Sequence, residues 1–99
     1  MAAVYTFNPS YGTGVTVAPG AASARSLIRS GTQSLCFSNL GTVTVYVRTG
    51  NDTEVATVAD YPILPAQQVT VTRRADDTHV AYITASGTGS LHIMGGEGF

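Results

Sequence analysis

Few residues in this chain have the means to do chemistry: one cysteine, Cys36, two histidines, His79 and His92, the acidic pair Asp76-Asp77, and scattered serines. A hydrolytic nucleophile needs a base beside it and a third group to orient that base. No serine stands in a Gly-x-Ser-x-Gly elbow, which would also need a strand-to-helix turn. Cys36 sits between Leu35 and Phe37 in an alternating stretch, the setting of a small packed side chain and not of an activated thiolate. The histidines flank Ser86-Gly87-Thr88-Gly89, and a hairpin closed by that turn would set them almost opposite each other, near Asp76 or Asp77. Two imidazoles and a carboxylate can ligate a divalent metal, but two histidines on the wet face of a hairpin are more commonly exposed residues. The sequence therefore predicts no catalytic residue, no metal and no cofactor.

The remaining polar clusters read the same way. Asp76-Asp77 after Arg73-Arg74 is a solvated turn with local charge pairing, short of the ligand spacing of a calcium loop. The glycines at 12, 14, 87 and 89 lack the following helix that a phosphate cradle requires. Tyr46 and Tyr82 are expected to be exposed, where they could stack a sugar or a base; tyrosine is also a routine cross-strand neighbour. Pro62-Ile63-Leu64-Pro65 has the form of a Pro-x-x-Pro ligand, yet its flanks are Asp60 and Ala66 and not basic residues, so it reads as a rigid corner with Ile63 and Leu64 as plugs.

The elements that must carry these residues are strands. Thr42 to Thr49 alternates valine with threonine, tyrosine and arginine at a period of two, predicting one dry face (Val43, Val45, Val47) and one wet face (Thr44, Tyr46, Arg48). Gln33 to Asn39 alternates likewise, with Leu35 and Phe37 inward and Ser34, Cys36 and Ser38 outward. The short Asn39-Leu40-Gly41 connection predicts that the two strands form a hairpin. Further strands are expected at Val4–Phe7, Val15–Val17, Glu54–Val58, Gln67–Arg73, His79–Ala85 and Ser90–Met94, the last pair closing a second hairpin, with Arg25 to Arg29 carrying Leu27 and Ile28 ahead of the turn Ser30-Gly31-Thr32 and Gly95 to Phe99 as a tail. Residues 1–22, rich in small residues and turn formers, form either an extended arm or an ordinary edge strand. Seven to eight short antiparallel strands at spacings of roughly eight to twelve residues, with no helical period, predict an all-β chain: a single β-sandwich or jelly-roll domain over 1–99.

Composition narrows the partners. A net charge of −1 supplies no field to gather nucleic acid or anionic lipid, so neither is expected as a partner. No apolar run approaches the length of a membrane helix, and Met1-Ala2-Ala3-Val4-Tyr5 lacks a basic and then apolar leader, so the protein is expected to be made in a cytoplasm and to stay soluble. Only 11% of residues are charged, lysine is absent and every basic residue is arginine, which is closer to an interface composition than to that of a solubility-optimised monomer.

The order of features resembles a known family. A valine-rich strand to Arg48, a turn with Asn51-Asp52, the Pro62–Pro65 corner, the runs Asp77-Thr78-His79-Val80-Ala81-Tyr82-Ile83-Thr84-Ala85 and Gly87-Thr88-Gly89-Ser90-Leu91-His92-Ile93, and a Gly-Glu-Gly-Phe ending are similar to the small all-β proteins that decorate or cement the heads of tailed bacteriophages. The resemblance runs from about Ser34 to Phe99. It implies a structural virion protein on the capsid surface, made in the host cytoplasm, that binds the major capsid protein, assembles as a homodimer or homotrimer and bridges capsomers. Arg25, Arg29, Arg48, Arg73 and Arg74, with Tyr46 on the outward row, would then be the interface residues, since guanidinium makes planar bidentate contacts. The competing expectation is a carbohydrate- or receptor-binding β-module of a tail fibre or other virion appendage.

Overall fold

The structure, a computed structural model, describes residues 7–12, 14–28, 33–74 and 76–97. These residues form β1 (Asn8–Pro9), β2 (Val15–Val17), β3 (Ala24–Leu27), β4 (Ser34–Asn39), β5 (Val45–Gly50), β6 (Tyr61–Ile63), β7 (Gln68–Thr72), β8 (His79–Thr84) and β9 (Leu91–Glu97), with no helix among them. The expected strand at Val4–Phe7 lies, but for Phe7, outside the described residues.

The pairings nest. β5 pairs β6, β4 pairs β7, β3 pairs β8 and β2 pairs β9, all antiparallel. The chain is thus folded double about the β5–β6 connection, and the doubled ribbon wraps into two facing sheets. Pairings of β4 with β9 and of β5 with β8 set the strand orders β2-β9-β4-β7 and β3-β8-β5-β6, and β1 continues the line of β2 along β9. This is a jelly roll, which wraps its strands so that few edges are left exposed.

Two expected hairpins do not form. β4 and β5 lie in different sheets and face each other across the core, with Leu35 and Phe37 on one side and Val45 and Val47 on the other. The chain after β8 likewise crosses to the opposite sheet instead of turning back, so His79 and His92 stand in different sheets. Alternation specifies which face of a strand is buried and says nothing of which neighbour it pairs with. Ile63, Val80, Tyr82, Leu91 and Ile93 complete the core, each almost wholly buried and each worth roughly 1.5–3 kcal/mol of transfer free energy.

Several boundaries also shift. The valine-rich strand expected at Thr42 to Thr49 begins at Val45, leaving Val43 half-buried ahead of it. Glu54 to Val58 joins no ladder and belongs to a connection laid over the outside of the β3-β8-β5-β6 sheet. The expected tail is strand as far as Glu97, because Gly95 and Gly96 pair with Leu35 and Ser34. Ser34 and Cys36, expected on the wet face, are both buried. On that face Cys36 lines a cavity of about 320 Å³ together with Phe7, Pro9, Ser38, His92 and Met94. Pro62 does sit in an edge strand, where its missing N–H costs nothing. Within the described residues of the amino-terminal stretch, Asn8–Pro9 and Val15–Val17 run as the edge of a sheet along β9.

Candidate interaction surfaces

Arg25 and Arg48 lie in one row across the outer face of β3-β8-β5, each paired in register with Ala81. Both reach over that face to the connection between β5 and β6. Arg25 Nη1 donates to the Glu54 carbonyl at 2.8 Å, and Arg48 Nη1 donates to the Val55 carbonyl at 3.3 Å. Arg48 Nε stands 3.2 Å from Asp60 Oδ1, and its Nη1 stands 3.6 Å from Glu54 Oε1. Ser23 Oγ accepts from Ala56 N at 2.8 Å and Asp60 Oδ2 from Thr57 N at 2.7 Å, so the connection is pinned along its length. The guanidinium groups of Arg25 and Arg48 are therefore engaged within the chain. Arg74 pairs loosely with the buried Asp77 at 3.8 Å, Arg73 is half-buried, and Arg29 lies outside the described residues. Tyr46 is half-buried beside Pro62, while Tyr82, expected to be exposed, turns inward and shares a 2.6 Å hydrogen bond with Ser26.

The histidines are used locally. His92 Nδ1 stands 3.0 Å from Thr16 Oγ1, and His79 Nδ1 stands 2.9 Å from Thr78 Oγ1. Among the described residues no three His, Cys, Asp or Glu side chains gather as a metal cluster would require.

The end of the sandwich formed by residues 18–23, 40–44, 64–67 and 85–90 is built differently. Its organiser is Asn39, 3% exposed at the end of β4. Asn39 Nδ2 donates to the carbonyls of Val43 at 2.8 Å and Ile63 at 2.9 Å, and its Oδ1 accepts from Gly41 N at 3.0 Å. Its backbone N donates to the Gln67 carbonyl at 2.9 Å, and its own carbonyl accepts from Ala66 N at 3.2 Å. One buried amide thus ties two connections together with every polar group satisfied. Leu40 N to the Ser90 carbonyl, Gly89 N to the Pro19 carbonyl and Thr84 N to the Gly20 carbonyl, at 2.8–2.9 Å, join the other two. Gly41 is required for this closeness, since a Cβ there would stand 2.9 Å from the backbone nitrogen of Ser90.

No residue in these four connections is charged, and Leu40 and Leu64 project from them 63% and 54% exposed. Leu64 was expected as a plug; Ile63 alone fills that role. Every described charged residue lies elsewhere: on the outer face of β3-β8-β5, in the connections at 51–60 and 73–78, or at Glu97. Sequence reasoning gave Asn39, Leu40 and Leu64 no part in an interaction surface, although a charge-free set of turns was visible in the sequence. What the sequence did not show was that these turns share one end.

A cleft of about 450 Å³ opens between the edges β6 and β7. Phe37, Val47 and Val71 form its apolar floor, and Arg48, Asp60, Tyr61 and Arg74 stand at its rim.

No family model matches the sequence, and no curated protein matches it. Among solved structures the chain is similar to the Drosophila NLP core, whose description concerns pentamer formation and histone binding. The identity is 16% over 84% of this chain and 95% of that one, with a TM-score of 0.36.

Proposed function

We propose that this protein is a structural component of a phage virion, without enzymatic activity, that binds the outside of the capsid and stabilises the shell by bridging capsomers. Its partners in this reading are the major capsid protein and further copies of itself, as a dimer or trimer. The observation that carries the reading is the uncharged end of the sandwich, with its cross-tied connections and exposed Leu40 and Leu64. Such a surface docks on protein without stripping water from ions and with little backbone entropy left to lose. The charged residues, gathered elsewhere, stay in water and keep the particle surface soluble.

Co-sedimentation with capsid shells tests this. Leu40→Asp combined with Leu64→Asp should abolish association while leaving the melting temperature within a few degrees of the parent, since both side chains are already exposed. Association that survives the double change, or its absence in the parent, would refute the reading. The alternative, a carbohydrate- or receptor-binding module, has one observation in its favour: Tyr61, half-exposed at a cleft rimmed by Asp60, Arg48 and Arg74, offers an aromatic face beside planar polar groups. Glycan binding lost in Tyr61→Ala, by a chain that ignores shells, would establish that alternative.

A further inference from the structure

The edges of the two sheets are not equally protected. β3 carries Arg25 at its centre, β6 is three residues long with Pro62 in the middle, and β1 and β2 are two and three residues long. Charge, proline and shortness are the usual means by which a native edge is kept from pairing with another chain. β7 has none of them. Gln68-Val69-Thr70-Val71-Thr72 is five residues of high strand propensity, uncharged and free of proline, and no described strand pairs with its outer side.

The ladder fixes which backbone groups face outward. Arg73 N donates to the Gln33 carbonyl at 2.8 Å and Asn39 N to the Gln67 carbonyl at 2.9 Å. Odd-numbered residues therefore bond across to β4, and the N–H and C=O groups of Gln68, Thr70 and Thr72 point away from it. Beside this edge opens the cleft floored by Phe37, Val47 and Val71, of which Val71 is still partly exposed.

The geometry points to β7 as a self-association edge, pairing antiparallel with β7 of a second copy about a two-fold axis through Thr70. Thr70 then meets its own counterpart, and Gln68 meets Thr72 of the other chain. All three are outward-facing residues, so each pair exchanges two backbone hydrogen bonds. Val69 falls opposite Val71 on the core side, extending the apolar layer over the mouth of the cleft. No like charges meet, because the strand has none. The pattern reads the same in both directions, as a two-fold contact requires. A chain of this size, with a modest core of its own, gains burial by such pairing. The contact is independent of the capsid reading and holds whether or not a shell is the partner.

Sedimentation velocity and amide hydrogen exchange on the full chain test it. The parent should sediment at twice the 10.2 kDa chain mass at tens of micromolar, with the amides of Gln68, Thr70 and Thr72 protected like those of Val69 and Val71. Thr70→Pro removes an outward N–H without touching the β4 ladder, so it should give a monomer with an unchanged circular dichroism spectrum. Thr70→Lys and Thr70→Asp should each weaken the dimer by about tenfold or more, because like charges then face each other, and mixing the two should restore it. A monomeric parent (including one that pairs β7 only with another protein), freely exchanging amides at the three outward positions, or a dimer indifferent to Thr70→Pro would each overturn the proposal.

Discussion

Asn39 ties together more of the backbone than any charged residue among those described. Truncating it to alanine removes the bonds its amide makes to the Val43 and Ile63 carbonyls and to the Gly41 N–H. Losing these bonds at a buried site costs about 2–4 kcal/mol together, which for a domain of this size is a fall of roughly 10–25 °C in melting temperature. Differential scanning calorimetry of Asn39→Ala measures that fall directly. Asn39→Asp adds a dependence on pH with a definite sign. The new carboxyl would face two carbonyl oxygens that repel its ionised form, so its folded-state pKa rises above the unfolded value of about 3.9. That variant should be most stable below the unfolded pKa and lose stability as pH rises through the folded one. Melting temperatures that stay level from acid to neutral pH would show that water reaches the site.

At the scale of elements, the connection between β5 and β6 behaves as a strap held by arginine. Arg48→Ala removes its contacts with Asp60, Glu54 and the Val55 carbonyl. Arg48 is substantially exposed, so the loss should be about 1 kcal/mol and should shrink as salt is added. Hydrogen exchange should quicken at the amides of Ala56 and Thr57 while those of β8 keep their protection; uniform acceleration would mean that the strap and the sheet unfold together. How much of this was legible follows from the physics of each signal. Alternation in Val45-Tyr46-Val47 and in Leu35-Cys36-Phe37 correctly placed the strands and their dry faces, because side-chain period is a local property. Pairing is not local. A short turn such as Asn39-Leu40-Gly41 suits a hairpin and a crossing equally until the buried amide of Asn39 is seen to stitch it to Ile63 at the end of β6 in the other sheet. The burial of Cys36 and the engagement of Arg25 and Arg48 depend in the same way on segments distant in sequence that come to lie over the sheet faces.

For the molecule as a whole, the jelly-roll wrapping keeps the sparse set of described charges away from one end. The connections that meet at one end come from four separate stretches of sequence, each neutral, and the fold turns them into one continuous uncharged surface with two exposed leucines. The fold by itself serves many unrelated activities, so the functional reading rests on that surface and not on the architecture. It was half visible in the composition: a lysine-free chain with 11% charged residues suggested interfaces, but composition has no direction and could not say which side would dock. The most direct measurement is a density map of phage heads carrying this protein. The account predicts that the end bearing Leu40 and Leu64 faces the shell at a junction between capsomers, with the β5–β6 strap and its arginines toward solvent. A map with the charged side seated on the shell, or heads that carry no density for the protein at saturating concentration, would contradict it.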